Sequence, residues 1–352
     1  MLACALALVQ SGCGMKKEDA SSRHDVMTPT SPTSAVNDDA AAPTRDRVTP
    51  IRPRHEGTRV VFSGGRVGWL TGDRAIIVSI ASPAAATTIP LGTARGIAAT
   101  PAGFVLIGDQ GSHTVHRIGG GTAAESWPAA LMLSVGIVHL FPEDDRFWVS
   151  AHDGLQPVEL RIRGTALAKG ARIKLMPQPA PGNQYDVARL ADGHFVRLEG
   201  DLFRIDPSKP ESQLLALPTD VTSPSLLAAH DQRIWLARPG EIVAVTGDPL
   251  AVAARAPLPS PEHRVHSLAA SSAHVAAIIR VQASESAVPV WTVVAFDTAG
   301  KPAFSQPLPP ELSGDLDVSV AISPAHVAAA GPGRLIVWDL ANGTTLLDRA
   351  PD

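Results

Sequence analysis

Short apolar runs alternate with polar, glycine-containing turns from about residue 58 to the end of the chain. The clearest instance is RLIVWDLANGTTLL (residues 334–347), in which one apolar run ends in Trp338-Asp339 and a second follows Asn342-Gly343. Two apolar runs separated by Asn-Gly are typical of a β-hairpin. The stretch therefore predicts two antiparallel strands joined by a tight turn at Asn342-Gly343.

Similar sets of four short strands recur towards the N-terminus with a mean spacing of about 43 residues, which is the period of a propeller blade. A single blade leaves both faces of its sheet uncovered, so the ring has to close for the protein to be stable. The sequence predicts an all-β fold, a β-propeller of seven four-stranded blades over residues 58–352. Its fourth strands are expected at Leu-Pro endings such as LLALP (214–218) and SQPLP (305–309). The predicted second strands begin at Val67, Gly103, Arg146, His194, Arg233, His274 and His326.

Tryptophans occupy matching positions in these predicted strands. Three lie in second strands and two in third strands, where large rings are needed to fill the space between blades. We expect these five to be core residues, with Trp127 at the edge of a blade. The five are Trp69, Trp148, Trp235, Trp291 and Trp338.

The N-terminus has a different pattern. Residues 1–9 are almost entirely apolar, and this run is too short to span a membrane, which needs about 20 apolar residues. With the small residues up to Cys13 it forms a signal-like segment over residues 1–13. The segment resembles a bacterial lipoprotein signal: Ser11, Gly12 and Cys13 match its small residues and its lipidated cysteine, whereas Gln10 stands where leucine is usual. The resemblance implies that Cys13 is lipidated. An ordinary secretory signal, with Cys13 inert, is the alternative.

Residues 14–57 are rich in Ser, Thr, Pro and Asp and have too little apolar surface to offset the conformational entropy of folding. We expect a disordered tether that holds a folded domain away from a membrane. The expected location is the cell envelope, at the outer membrane or surface rather than the inner membrane, because Gly14 and not Asp follows Cys13. Without lipidation the protein would be periplasmic or secreted.

Two propeller repeats carry a resemblance to a known superfamily. VVAFDTAGKPAF (293–304) and LIVWDLANGTTLL (335–347) resemble quinoprotein-like and YVTN/WD40-like repeats, in which the third strand ends in Asp before a Gly-containing turn. The resemblance covers residues 58–350 but is clear only in the last two repeats. It implies the propeller fold and, with the N-terminal signal, a plan similar to outer-membrane assembly lipoproteins. No catalytic residues of the superfamily can be matched.

Composition excludes several functions. The formal net charge is −4 and no basic cluster is longer than Lys16-Lys17, so the sequence lacks the basic surface of a nucleic-acid binder. Cys4 and Cys13 are the only cysteines, which leaves the predicted domain without disulfides, thiolate metal sites or a cysteine nucleophile. We expect no cofactor, no metal and no catalytic residue, and a monomeric protein.

Acidic residues recur at one position of the repeat. Asp73, Asp109, Asp153 and Asp201 lie in the turns between second and third strands, and Glu285 lies in the longest such turn. Strand alternation places these turns on the same face as the connections between blades. One interpretation is an acidic arc that binds cations or a basic partner. The other is that Gly-Asp and Asp-Gly are simply favourable turn sequences.

Two functions remain open. The first is a non-catalytic binding or scaffold module for a protein, peptide or glycan of the envelope. The alternative is an enzyme of the lyase, lactonase or quinoprotein dehydrogenase type that uses the central funnel. Such an enzyme needs converging polar side chains on the inner strands, and the predicted inner strands, for example LLAA (226–229) and VSVAI (318–322), are mostly aliphatic. The sequence therefore favours binding.

Overall fold

The structure, a computed structural model, is all-β. It describes residues 59–109, 113–119, 124–128, 138–143, 146–151, 158–163, 166–172, 186–209, 211–281, 290–312 and 317–351. In these residues 28 strands form seven antiparallel sheets of four consecutive strands each. The seven-bladed propeller predicted from the sequence is confirmed. Within the described ranges there is no helix with the length and hydropathy of a membrane span. Cys13 and the predicted segments 1–13 and 14–57 lie outside them.

Each blade runs in chain order from its inner to its outer strand. Blades 1 and 2 are β1 (Val60–Ser63), β2 (Arg66–Thr71), β3 (Arg74–Ser79), β4 (Ser82–Pro90), and β5 (Thr93–Thr100), β6 (Gly103–Asp109), β7 (His113–Ile118), β8 (Ala124–Pro128). Blades 3 and 4 are β9 (Val138–Pro142), β10 (Arg146–Ala151), β11 (Val158–Arg163), β12 (Ala166–Arg172), and β13 (Asp186–Arg189), β14 (Phe195–Glu199), β15 (Asp201–Ile205), β16 (Ser212–Leu215). Blade 5 is β17 (Leu226–His230), β18 (Arg233–Arg238), β19 (Glu241–Thr246), β20 (Ala251–Pro257). Blades 6 and 7 are β21 (Arg264–Ala270), β22 (His274–Val281), β23 (Val290–Asp297), β24 (Pro302–Pro307), and β25 (Ser319–Ile322), β26 (His326–Gly331), β27 (Arg334–Asp339), β28 (Thr345–Arg349).

The strands are apolar on both sides because each sheet is covered by two neighbouring blades. In β2, Val67 and Trp69 pack against blade 7, whereas Leu70 packs against blade 2. Gly68 faces blade 2 as well, and a Cβ there would come within 2.7 Å of Ile97 Cδ1. Successive residues of a strand point to opposite sides of its sheet, so a run such as VGWL fills two interfaces at once.

One apolar cluster lies at each of the seven interfaces between neighbouring blades, as far as the described residues show. The ring closes between blades 7 and 1 without an exchanged strand, because β25 to β28 all come from the C-terminal end. Packing is supplemented there by the Trp69 indole, which donates to the Gly331 carbonyl at 2.9 Å, and by an Arg59–Asp317 ion pair at 2.9 Å. Closure therefore depends on side chains rather than on a shared sheet.

The tryptophan predictions are confirmed for the core, and the structure adds how the ring of Trp127 is shielded at the blade edge. The five matching tryptophans are at most 5% exposed. Trp127 lies on the outer strand β8, as expected for a blade edge, but its ring is buried beneath the Arg117 guanidinium, 5.3 Å from the ring centre. The cationic side chain covers the indole face, so a large ring at the edge of a blade remains shielded from water.

Two strand predictions were wrong in position. β16 ends at Leu215 and β24 ends at Pro307, so Leu217-Pro218 and Leu308-Pro309 lie in the connections between blades rather than in fourth strands. Proline has no N–H to donate to a β-ladder and therefore marks the end of the strand. The leucine side chain at the same point turns inwards, and Leu308 is buried.

The turn at the end of the chain also differs from the predicted two-residue turn. β27 ends at Asp339 and β28 begins only at Thr345. The Asp339 carboxylate accepts hydrogen bonds from the main-chain N–H groups of Ala341, at 2.8 Å, and Asn342, at 3.2 Å. Gly343 follows with φ of 71°. The aspartate side chain thus organises a longer connection, which the Asn-Gly signal alone did not predict.

Candidate functional site

The turns between second and third strands and the connections between blades emerge on one side of the ring, because neighbouring strands are antiparallel. We call this side the connection face and the other side the opposite face. The described turns of the connection face are 71–74, 199–201, 238–241 and 331–334. The described inter-blade connections on the same face are 91–92, 216–225, 258–263, 308–312 and 317–318.

Three of the five acidic residues predicted at this face are described. Asp73 lies in the turn before β3 and Asp201 is the first residue of β15; both are exposed. Asp109 is the last residue of β6. All three occupy the end of the blade that the alternation of strands predicted. Asp153 and Glu285 lie outside the described residues, so their part of the acidic arc stays a prediction.

The described acidic turns do not converge on a common ligand site. The Asp73 carboxylate pairs with Arg74 Nε at 2.9 Å, and this hydrogen bond, with the charge of Arg74, lowers the pKa of Asp73. Its charge is therefore partly compensated by the next residue of the chain. Over the described ranges, no three His, Cys, Asp or Glu side chains come close enough together to hold a metal ion.

A cluster of ion pairs fixes one connection at blade 5. Glu241, the first residue of β19, accepts two hydrogen bonds from Arg255 Nη1 at 2.8 and 3.0 Å. Arg255 also pairs with Asp220 of the preceding inter-blade connection. Arg238 Nη1 lies 3.2 Å from Glu241 and donates to the Asp220 carbonyl at 2.6 Å. The connection is therefore tied both to a turn and to the outer strand of the blade that it enters.

Blade 7 has ion pairs at the same three positions, with the charges of the two strand residues exchanged and an acidic residue again in the connection. Arg334, the first residue of β27, donates two hydrogen bonds to Asp348 of the outer strand at 2.8 and 2.7 Å. It also pairs with Glu311 of the preceding connection at 2.7 Å. The bidentate hydrogen bond from Arg334 lowers the pKa of Asp348. The same three positions thus form a triad in both blades although no residue is shared.

A buried leucine at the start of a connection bonds it to the neighbouring turn in two blades. The main-chain N–H of Leu91 donates to the Asp73 carbonyl at 2.7 Å, and that of Leu258 donates to the Gly240 carbonyl at 2.8 Å. Both side chains are buried. A proline precedes each leucine and fixes the entry of the chain. These two connections are consequently preorganised, which reduces the entropy cost of binding a partner there.

Polar side chains on the inner strands join one blade to the next. Ser63 Oγ donates to the Thr100 carbonyl at 2.6 Å, linking blades 1 and 2. Ser267 Oγ accepts from the Val320 N–H at 3.1 Å, linking blades 6 and 7. Asp186 Oδ2 accepts from the Leu227 N–H at 3.1 Å, and Ser319 Oγ accepts from the Arg59 N–H at 3.0 Å. These side chains therefore use their polar atoms in holding the ring together.

Sequence reasoning missed these four residues because it judged the inner strands by their aliphatic majority. A signal was present: a small polar residue recurs in otherwise apolar inner strands, and such a side chain is buried only if it is hydrogen-bonded. The spacing alone does not say which main-chain group of the neighbouring blade is in reach.

The opposite face carries a charged cluster at blade 4. His194 Nδ1 lies 3.1 Å from the Asp192 carboxylate, which also pairs with Arg204. Hydrogen bonds from Ser208 and Lys209 lower the pKa of Asp206. A half-open cavity of about 270 Å³ lies beside this cluster. Its lining residues are His194, Arg204, Asp206, Lys209, Glu211 and Gln213. Since the charges are already paired with one another, the cluster has the character of a surface ion network.

Comparisons with known proteins support the fold. The chain matches no protein family model, and no curated protein matches it significantly. The β-propeller domain of Cps50 (Swd1) from Myceliophteria thermophila superposes with a TM-score of 0.55 and 15% identity, covering 81% of this chain and 97% of that one. A streptogramin B lyase superposes with a TM-score of 0.53 and 11% identity, covering 79% and 91%. The WD40 domain of SCAP from fission yeast gives 0.50 and 9%, covering 86% and 88%.

At these identities the likeness extends to the fold alone. One of the similar structures is named as an enzyme and another as a WD40 domain, so the propeller fold by itself does not specify a function. The fold-level part of the resemblance in the last two repeats is confirmed: the chain is a seven-bladed β-propeller with four-stranded antiparallel blades.

Proposed function

We propose that the protein is a non-catalytic binding module that presents its connection face to a protein, peptide or glycan partner in the cell envelope. The observation that supports this proposal is that polar side chains have different roles on the inner strands and on the connection face. Four polar side chains of the inner strands, among them Ser267 and Asp186, are engaged in bonds between blades. Those on the connection face, such as Asp73 and Asp201, are exposed.

A binding role suits this distribution for a physical reason. Catalysis in the funnel would require polar groups on the inner strands to be available for substrate, and a buried group already satisfied by a neighbouring blade can leave it only at the cost of the inter-blade bond. Recognition by exposed turns does not require any hydrogen bond between blades to break. Loops held on a rigid scaffold are also where binding residues are generally found.

We further propose that Cys13 is lipidated and anchors the protein to the outer membrane or cell surface. The matching small residues Ser11 and Gly12 support this proposal. We expect the full-length protein, expressed in a bacterium that makes lipoproteins, to fractionate with membranes, and we expect Cys13→Ser to release it into the soluble fraction. Immunoblotting of both fractions measures the effect. Equal partitioning of the two proteins would refute the anchor.

Site-specific photo-crosslinking in living cells tests the binding proposal. A photoreactive amino acid is placed at Asp73, Asp201 or Glu262 on the connection face, all of which are exposed. The matched controls carry it at Asp231 or Lys301, which are exposed on the opposite face. We expect discrete crosslinked products from the first group and none from the second. Products from the opposite face alone would overturn the assignment of the binding surface.

A further inference from the structure

The interface between blades 3 and 4, which we call the charged seam, contains buried charge. Glu159 of β11 and Arg197 of β14 are at most 1% exposed, and no other Asp, Glu, Lys or Arg is buried among the residues whose burial the structure describes. Glu159 is the cross-strand partner of Trp148, so the two side chains lie on the same side of blade 3. Arg197 follows Phe195 by two residues and lies on the same side of blade 4 as that ring. The rings of Trp148 and Phe195 meet across the seam with their centres 5.6 Å apart, so both charges point into it.

Glu159 is held by its own blade. Its carboxylate lies 3.0 Å from Arg161 Nε and 3.3 Å from Arg146 Nη1, and both arginines belong to blade 3. The carboxylate also lies over Gly170 of β12, where a Cβ would overlap its Oε2 atom. A separation of blades 3 and 4 therefore leaves these ion pairs intact.

Arg197 is held in a similar way within blade 4. Its guanidinium carbon lies 4.7 Å from the centre of the Phe203 ring, and its Nη2 lies 3.7 Å from the Glu199 carboxylate. Separation of the blades would hydrate both buried charges without breaking their pairs, and hydration returns part of the free energy that desolvation costs. The indole N–H of Trp148 is also buried and has no acceptor in the part of the chain that the structure describes, so it would gain a hydrogen bond to water.

An ion pair crosses the seam close to solvent. Glu143, in the turn before β10 of blade 3, pairs with Arg189 at the end of β13 in blade 4. It also pairs with Arg146 of its own blade. Burial lowers the pKa of Arg189, and the nearby charge of Arg146 lowers it further. All three side chains are partly exposed, so dissolved salt screens the attraction that joins the two blades.

The junction of blades 7 and 1 is built differently. It also has a crossing ion pair, between Arg59 and Asp317. However, the Trp69 indole donates across this junction to the Gly331 carbonyl at 2.9 Å, and no charged side chain is fully buried there among the described residues. Separation of these two blades would break that hydrogen bond and expose apolar surface without hydrating a buried charge.

We propose that the charged seam is a salt-sensitive opening point of the ring, at which blades 3 and 4 separate reversibly while each keeps its four strands paired. Among the described strands none is shared across the seam, so its opening breaks no main-chain ladder. Rising ionic strength weakens the pair between Glu143 and Arg189, whereas apolar packing at the other interfaces is not screened. The seam therefore opens before the junction of blades 7 and 1. This property is independent of partner binding at the connection face.

Cysteine labelling measures the opening, because Cys4 and Cys13 are the only cysteines in the sequence and both precede the propeller. The full-length protein carries Cys4→Ser and Cys13→Ser, and Val187→Cys places one thiol in the seam. Val265→Cys, at the interface of blades 5 and 6, is the control. Both valines lie on inner strands and are similarly buried, at 7% and 5% exposure. Iodoacetamide is the probe, since it is uncharged and its encounter with the thiol does not depend on salt.

Between about 0.1 M and about 1 M NaCl, the labelling rate of Val187→Cys should rise about threefold or more, whereas that of Val265→Cys should change by less than about 1.5-fold. Circular dichroism and tryptophan fluorescence should remain those of the folded protein throughout. Glu143→Gln, added to Val187→Cys, leaves two arginines without their shared carboxylate, so labelling should be faster at low salt and should no longer accelerate with salt. Glu262→Gln, exposed on the connection face, is the matched control and should leave both properties unchanged.

Three results would overturn the proposal. An equal response of Val187→Cys and Val265→Cys to salt would show that the seam opens no more readily than another interface. A larger response in Val60→Cys, which is buried at the junction of blades 7 and 1, would show that the ring opens where its first and last blades meet. A salt response that persists after Glu143→Gln would show that the crossing ion pair does not control the opening.

Discussion

Single polar side chains on the inner strands determine how each blade joins the next. Ser267 is 7% exposed and accepts a hydrogen bond from the N–H of Val320, which is 2% exposed. A serine in this position places one small acceptor where two sheets approach each other, without the volume that would push them apart. The inner strands can thus remain mostly aliphatic and still provide directional contacts between blades.

We predict that Ser267→Ala lowers the free energy of unfolding by about 1–3 kcal/mol, because it removes the acceptor used by a buried N–H group. Urea denaturation followed by tryptophan fluorescence measures the change. Ser305→Ala, at an exposed position of β24, is the control and should stay within about 0.5 kcal/mol of wild type. Equal stability of Ser267→Ala and the control would refute the structural role of this serine.

The pH dependence of one ion pair follows from the direction of its pKa shift. The hydrogen bond from Arg334 lowers the pKa of Asp348 in the folded protein below the ordinary value of an aspartate. A carboxyl group whose pKa falls on folding stabilises the fold above its unfolded pKa, and this stabilisation is lost as the pH falls through the folded value. We predict that Asp348→Asn is less stable than wild type at pH 7 and that the difference shrinks below about pH 4.

Urea titrations of both proteins between pH 2 and pH 7 provide the measurement. Because the pair is partly exposed, the difference at pH 7 should also decrease in 1 M salt. A difference that grows towards acid pH would contradict the assignment of Asp348 as the stabilising carboxylate.

Turns between third and fourth strands pack closely on the neighbouring blade. Gly300 has φ of 85°, and a Cβ at this position would overlap the carbonyl oxygen of Arg255 in β20. Gly343, in the corresponding turn of blade 7, has φ of 71°, but the nearest atom to its Cβ would be Gln306 Nε2 at 3.3 Å. The two glycines share a left-handed backbone and differ in how closely another blade approaches.

We predict that Gly300→Ala destabilises the protein by roughly 2–4 kcal/mol, since it adds a steric clash to the backbone strain. Gly343→Ala incurs mainly the backbone strain and should cost about 1 kcal/mol. Thermal unfolding of both variants tests the difference. If Gly343→Ala were the more damaging, the close packing of blade 6 on blade 5 would not be the cause.

The second strands begin within one residue of their predicted starts, because apolar positions on both faces of a buried sheet leave a continuous signal in the sequence. β18, predicted from Arg233, begins at that residue. The predicted positions of the fourth strands at LLALP and SQPLP were wrong. The leucine before the proline was assigned to the strand, whereas it lies in the connection between blades. The triads that contain Arg334 and Glu241 were not predictable, because their partners are distant in sequence and differ in identity.

Closure of the ring is a property of the whole molecule. Blade 1 is formed by the first four strands of the described chain and blade 7 by the last four. The interface between them contains the apolar cluster around Trp69 and Val337. Because no strand is exchanged, no β-sheet pairing joins these two blades in the part of the chain that the structure describes. The interface therefore has to supply the same packing as the other six for the ring to remain closed.

We predict that removing Arg334–Asp352 uncovers the apolar side of blade 1 and of blade 6, so that the truncated protein aggregates. Size-exclusion chromatography and dye binding to exposed apolar surface measure this outcome, with the full-length protein as control. A soluble, monomeric truncation that unfolds cooperatively would contradict the closed seven-bladed ring.

The assignment of structural and binding roles to different parts of the molecule is tested most directly by one paired measurement. Crosslink yield from Asp73 and thermal stability are determined for Ser267→Ala and for Asp201→Lys, in the same cells and at matched protein levels. The account predicts that Ser267→Ala lowers the melting temperature and preserves the yield, whereas Asp201→Lys preserves the melting temperature and reduces the yield. Loss of the crosslink in Ser267→Ala at temperatures where the protein is fully folded, with an undiminished yield in Asp201→Lys, would contradict it.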